Sequence, residues 1–92
     1  MRVVTKTIKA AFENGVSKTV QNTCTNGKSV FLHGNEIIKR ENGKVMVSLC
    51  GWNTPTTRER INGITGAGIY TVKGNAMIDG NEISDSGWYE VK

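Results

Sequence analysis

Between Val16 and Cys50 the chain runs in short stretches where β-branched or aliphatic residues alternate with polar ones. Asn14-Gly15, Asn26-Gly27, Gly34-Asn35 and Asn42-Gly43 separate these stretches. Alternation at period two predicts strands with two unlike faces, and Asn-Gly pairs supply the positive φ that two-residue hairpins demand. Strands are therefore expected over residues 3–9, 17–25, 29–33, 36–40 and 44–50. If each later turn holds two residues, Phe31 pairs with Ile38 and Ile38 with Val47. His33 then faces both Val20 and Glu36, and Glu36 faces Leu49. One face would collect Val20, Cys24, Phe31, Ile38, Val45, Val47 and Leu49 as core. The reverse face would hold Val30, Leu32, Ile37, Met46 and Trp52, too apolar to be wholly wet. Cys24 and Cys50 would lie on opposite faces and stay unpaired.

The pattern changes once. In Gly51-Trp52-Asn53-Thr54-Pro55-Thr56-Thr57-Arg58-Glu59-Arg60-Ile61-Asn62-Gly63, Thr57, Ile61 and Ile64 repeat at spacings of four and three, which predicts a helix near 55–65. Thr54 or Thr56 can cap it, Pro55 fits its first turn, and Asn62-Gly63 or Gly66 can end it. Strands resume at 69–73, at 75–78 with 82–83 around Asp79-Gly80-Asn81, and at 88–91. The expected class is α+β: an antiparallel β-meander with tight hairpins, one short helix (about 55–65) packed on it, and a C-terminal β-hairpin region, all within a single small domain at 1–92. Gly34-Asn35-Glu36-Ile37 recurs as Gly80-Asn81-Glu82-Ile83, and Gly51-Trp52 as Gly87-Trp88. The echo reads as reused hairpin chemistry, not as duplication.

Composition narrows the functions open to this fold. Ninety-two residues bury roughly 60% of their unfolded surface, which leaves little room for a deep active site. No apolar run reaches the length of a membrane span, and no secretory signal pattern opens the chain, so no membrane role and a cytoplasmic setting are expected. One histidine and two distant cysteines give no metal-ligand spacing, and no cofactor is expected. The glycines at 63, 66 and 68 follow the helix, where a dinucleotide-binding loop would precede one. The net charge of +4 is uneven. Residues 1–60 hold ten Lys and Arg against four Glu, whereas residues 61–92 hold two Lys against four acidic residues. A basic first half suits a phosphate or an acidic protein surface, and equally suits lysines that guard strand edges.

Arg58 and Arg60 flank the predicted apolar stripe of the helix. They either clamp acceptors on the neighbouring sheet or grip phosphate beside the helix N-terminus. Trp52, just ahead of the helix, can stack on a base, anchor a partner protein or pack beneath the helix. Thr56, Lys39 and Arg40 complete the candidate binding set. His33 and Glu36 form the one acid–base pairing, and a turn hydrogen bond explains it better than catalysis. No nucleophile, base and orienting group fall together, so the chain is expected not to be an enzyme.

Three passages resemble a known group: His33-Gly34-Asn35-Glu36-Ile37-Ile38, Val47-Ser48-Leu49-Cys50-Gly51-Trp52-Asn53-Thr54, and Thr56-Thr57-Arg58-Glu59-Arg60-Ile61-Asn62-Gly63. With Ile78-Asp79-Gly80-Asn81-Glu82-Ile83 and Trp88-Tyr89, they look like a pattern in small uncharacterised tailed-bacteriophage proteins. The likeness starts near His33. It implies phage origin, expression inside a bacterium, and action in the host cytoplasm, and it carries over no catalytic residue. Two readings stand nearly level: nucleic-acid contact through phosphates on a basic face, and binding of a host bacterial protein, a defence component included. Self-association into a homo-oligomer is the third.

Overall fold

The computed structural model describes residues 2–91. The chain begins with a helix, α1 (Val3–Glu13), where a strand was expected. Its β-branched residues favour strands, but Val4, Ile8 and Phe12 recur every four residues and all are buried. Tertiary burial of that stripe overrides propensity. The Val16 amide closes the helix on the Ala11 carbonyl at 2.9 Å, with Gly15 in the left-handed region.

The expected strand 17–25 is also divided. Gln21-Asn22 turn the chain between β1 (Lys18–Val20) and β2 (Thr23–Thr25), and Val20 pairs with Thr23. The path continues through β3 (Ser29–Leu32), β4 (Asn35–Glu41) and β5 (Lys44–Val47), each antiparallel to the last. The β2–β3 loop is longer than a two-residue hairpin. Asn26 Oδ1 accepts from the amides of Lys28 and Ser29, at 2.9 and 2.8 Å. Gly27 packs so closely on the end of α1 that a Cβ would lie 2.5 Å from the Gly15 carbonyl oxygen. No larger residue fits there without moving backbone.

The β3–β4 register differs from the expected one. The turn is His33-Gly34, one residue earlier than expected, so Leu32 pairs with Asn35 and Phe31 with Glu36. A bulge then leaves Ile37 unpaired, and Val30, not Phe31, meets Ile38. The expected pairings of His33 with Val20 and of Glu36 with Leu49 do not form: the β4–β5 ladder stops at Ile38–Val47, which is as expected. The consequence is an exchange of faces on β3. Val30 and Leu32 are core, whereas Phe31 and Cys24 sit half-buried on the opposite face. The bulge also puts both Ile37 and Ile38 inside. Cys24 and Cys50 are free thiols.

Helix α2 (Pro55–Thr65) lies where the pattern placed it. Thr54 caps it by accepting the Thr57 amide at 3.2 Å, and Gly66 ends it in the left-handed region. Ile61 and Ile64 join Val4, Ile8 and Phe12 over Val30, Ile38 and Val47 in one core cluster. The two helices therefore lie side by side on one face of the sheet. Beyond them, β6 (Tyr70–Val72), β7 (Asn75–Ile78) and β8 (Asn81–Glu82) form a separate three-stranded sheet. The last strand, β9 (Tyr89–Glu90), returns to pair with β5 and completes the order β1-β2-β3-β4-β5-β9. The α+β class with antiparallel hairpins is thus as expected, with one more helix than the sequence suggested.

Candidate functional site

The candidate binding residues separate into two groups. Arg60 is 2% exposed and lies between the helices and β2. Its Nε donates to Thr23 Oγ1 at 3.0 Å, and its Nη1 donates to Thr5 Oγ1 at 3.2 Å and to the Glu59 carboxylate. Thr5 Oγ1 in turn is 2.8 and 2.7 Å from the two Glu59 oxygens. A guanidinium taken from water needs such partners, because burying it unpaired costs several kcal/mol, of order 5 or more. Glu59 sits between the two arginines in sequence. It faces α1, the element that sequence reasoning had placed in a strand.

Arg40 lies at the surface, but its guanidinium is held by the fold. Its Nη1 and Nη2 donate at 2.7 Å to the carbonyls of Gly27 and Phe12, and its guanidinium carbon lies 3.8 Å from the Phe12 ring centre. It ties the C-terminal end of α1 to the β2–β3 loop. Lys39 is on the other side of the sheet, 4.3 Å from the Trp88 ring centre and 3.2 Å from a Glu41 oxygen. Arg58 is half-buried and donates to Asn53 Oδ1, while Asn53 Nδ2 reaches the Gly74 carbonyl at 3.2 Å. The cations singled out in the sequence do not share one open face.

Trp52 and Thr56 belong to the second group. They line a groove of about 490 Å³ between the β3–β4 turn and the start of α2. Its floor is Leu32, Ile37 and Leu49, each no more than 4% exposed. His33, Asn35, Thr54, Thr56 and Thr57 complete the wall. Trp52 stands at the rim with 59% of its surface exposed. No Lys, Arg, Asp or Glu side chain lines the groove. Each local feature has a cause. The bulge turns Ile37 inward, the Cys50-Gly51 turn lifts Trp52 clear of the sheet, and the Thr54 cap fixes where the helix begins.

The Thr54 and Thr57 hydroxyls bond each other at 2.9 Å. The His33 ring, Asn35 amide, Trp52 indole N–H and Thr56 hydroxyl make no side-chain hydrogen bond within the described residues. His33 and Glu36 do not pair: His33 is in the turn, and Glu36 accepts the Ser29 hydroxyl at 2.6 Å across the sheet. The sequence pattern puts Leu32, Ile37, Met46 and Trp52 on one apolar face as the contact for a host protein; the groove includes Leu32, Ile37 and Trp52, leaves out Met46, and adds Leu49 and Asn35, which sequence reading missed. Only the turn position could have revealed them, since Asn42-Gly43 and Asp79-Gly80 already place glycine second, and His33-Gly34 follows the same rule.

A family model described as Kyanoviridae Gp96 protein matches residues 1–92, so the match includes the N-terminal third where no likeness had been found. No curated protein and no solved structure matches the chain.

Proposed function

The chain belongs to the Kyanoviridae Gp96 protein family, a family of bacteriophage proteins, and from that premise we propose that it works by binding a protein of the bacterial host through the Trp52 groove. The observation that carries this reading is an exposed tryptophan beside a concave floor of buried Leu32, Ile37 and Leu49. Tryptophan at the edge of an apolar pocket is the residue type that dominates protein interfaces. Phosphate contact, the other leading expectation, loses support because Arg60 is buried inside the fold, the Arg40 guanidinium is held by the Gly27 and Phe12 carbonyls, and Lys39 is occupied at the opposite face. The reading places action in the host cytoplasm and needs no catalytic group.

The test is affinity capture from nuclease-treated host lysate with the wild-type protein and with Trp52→Ala. One host protein should be retained and identified by mass spectrometry. Its retention should fall by at least about tenfold in the variant, as loss of an anchor residue predicts. Equal retention by both proteins would exclude the groove. Retention only of nucleic acid from untreated lysate, fading as salt rises, would restore the phosphate reading.

A further inference from the structure

We propose that Asn42 is a site of covalent modification: its side chain deamidates spontaneously through attack by the Gly43 backbone nitrogen. Neither residue lines the Trp52 groove, so the reaction stands independently of the binding reading. The chain holds four Asn-Gly pairs, beginning at Asn14, Asn26, Asn42 and Asn62. Glycine after asparagine leaves the attacking nitrogen unshielded by a Cβ, so all four share the reactive pattern. The fold sets them apart.

Three of the pairs are held. The Asn14 side-chain amide donates to the Ala10 carbonyl at 2.9 Å, and the Gly15 N–H donates to the Phe12 carbonyl at 3.3 Å. Asn26 Oδ1 accepts from the Lys28 and Ser29 amides, and the buried Gly27 donates its N–H to Thr25 Oγ1 at 3.1 Å. Asn62 lies inside α2, where its side chain donates to the Ile69 carbonyl at 2.8 Å and accepts the Ile69 amide at 2.7 Å. Asn42 is different. It sits with Gly43 at the exposed tip of the β4–β5 hairpin. Neither its side chain nor the Gly43 N–H makes a hydrogen bond among the described residues. A Cβ added at Gly43 would meet nothing within 4 Å, so no neighbour crowds the nitrogen.

Ring closure requires rotation about the Asn42 Cα–C bond, out of the left-handed turn with φ 53° at Asn42 and 78° at Gly43. That rotation gives up the terminal Glu41–Lys44 pair of the ladder, whereas each other site must first break the side-chain bonds that hold it. The Gly43 nitrogen then bonds to Asn42 Cγ, the Cγ–Nδ2 bond breaks, and ammonia leaves with the proton of the Gly43 amide. Water splits one of the two C–N bonds of the cyclic imide. Cleavage at Cγ leaves aspartate; cleavage at the main-chain carbonyl leaves isoaspartate, whose backbone runs through Cβ. Either product replaces a neutral amide with a carboxylate and lowers the net charge of +4 by one. Isoaspartate also lengthens a turn built for two residues, so it loosens the β4–β5 pairing from its tip.

The test is incubation of the full-length protein in warm, mildly alkaline buffer, followed by peptide mapping with mass spectrometry and enzymatic labelling of isoaspartate. Asn42 should convert at least about tenfold faster than Asn14, Asn26 or Asn62, because the folded protein opens most readily there. In denaturant the four rates should converge to within about threefold, since the contacts that rank them are gone. Asn42→Gln, which disfavours the five-membered ring and keeps Gly43, should remove isoaspartate from the peptide that carries this turn. Equal rates in the native protein, fastest conversion at another of the four pairs, or an Asn42 that stays intact while the denatured chain reacts would each overturn the proposal. A rank order that survives in denaturant would overturn it too, since sequence and not fold would then set the rates.

Discussion

The β3–β4 hairpin of the large sheet and the β7–β8 hairpin of the small one are built alike. Leu32-His33-Gly34-Asn35-Glu36-Ile37 and Ile78-Asp79-Gly80-Asn81-Glu82-Ile83 share turn geometry and register: Leu32 pairs with Asn35, and Ile78 with Asn81. Their surroundings differ. Leu32 and Ile37 are buried beside α2, whereas Ile78 and Ile83 are only partly covered. Between Gly66 and Trp88 the buried residues are Ile69 and Ala76. Local chemistry makes a hairpin in both places. What lies on top of it decides whether the hairpin becomes core, groove or surface.

The comparison breaks most visibly by cutting into the large sheet. Ile38→Ala, at a fully buried position, should lower unfolding free energy by about 3–4 kcal/mol in denaturant titration. Ile83→Ala, the same chemistry in the small sheet, should cost about 1 kcal/mol, because partial burial leaves less to lose. Equal costs would mean that Ile83 is packed as deeply as Ile38.

Arg60→Ala should come next, at about 3 kcal/mol, since it strands Glu59 and Thr5 beside a cavity. Arg60→Met should recover part of that loss by filling the space. If Arg60→Ala left stability unchanged but impaired binding, the arginine would belong to a site after all. Amide hydrogen exchange sharpens the contrast further. Protection should be lost from β6–β8 before β3–β5, because few buried contacts hold the smaller sheet.

Two small effects close the series. Trp52→Ala should change stability by no more than about 0.5 kcal/mol, as for other exposed positions, while removing binding. Lys73 occupies the first position of a Lys73-Gly74 turn at φ 52°, a conformation that asparagine tolerates better. Lys73→Asn should therefore stabilise by about 0.5 kcal/mol, read as a small rise in melting temperature.

Legibility in the sequence followed the range of the interaction. Asn42-Gly43 and Asp79-Gly80 carry their own turn geometry, and Thr54, Pro55 and Gly66 mark the bounds of α2 from within a few residues. The bulge at Ile37 was not legible, because nothing near it marks an unpaired residue. Its cause lies in the position of the preceding turn and in the depth of the core beneath. The same holds for α1, whose β-branched residues suit a strand until a sheet is present to receive Val4, Ile8 and Phe12.

The sequence by itself determined the Asn42-Gly43 and Asp79-Gly80 hairpins, the second helix and the α+β class, since turn chemistry, caps and hydrophobic period act over a few residues. Tertiary structure alone decided the roles of the side chains. It placed Arg60 between two helices and a strand, so that a cation suited to phosphate became an internal tie. It left Trp52 outside, over a floor drawn from three separate segments. Those outcomes depend on long-range packing and desolvation, which a residue's neighbours in the chain do not encode.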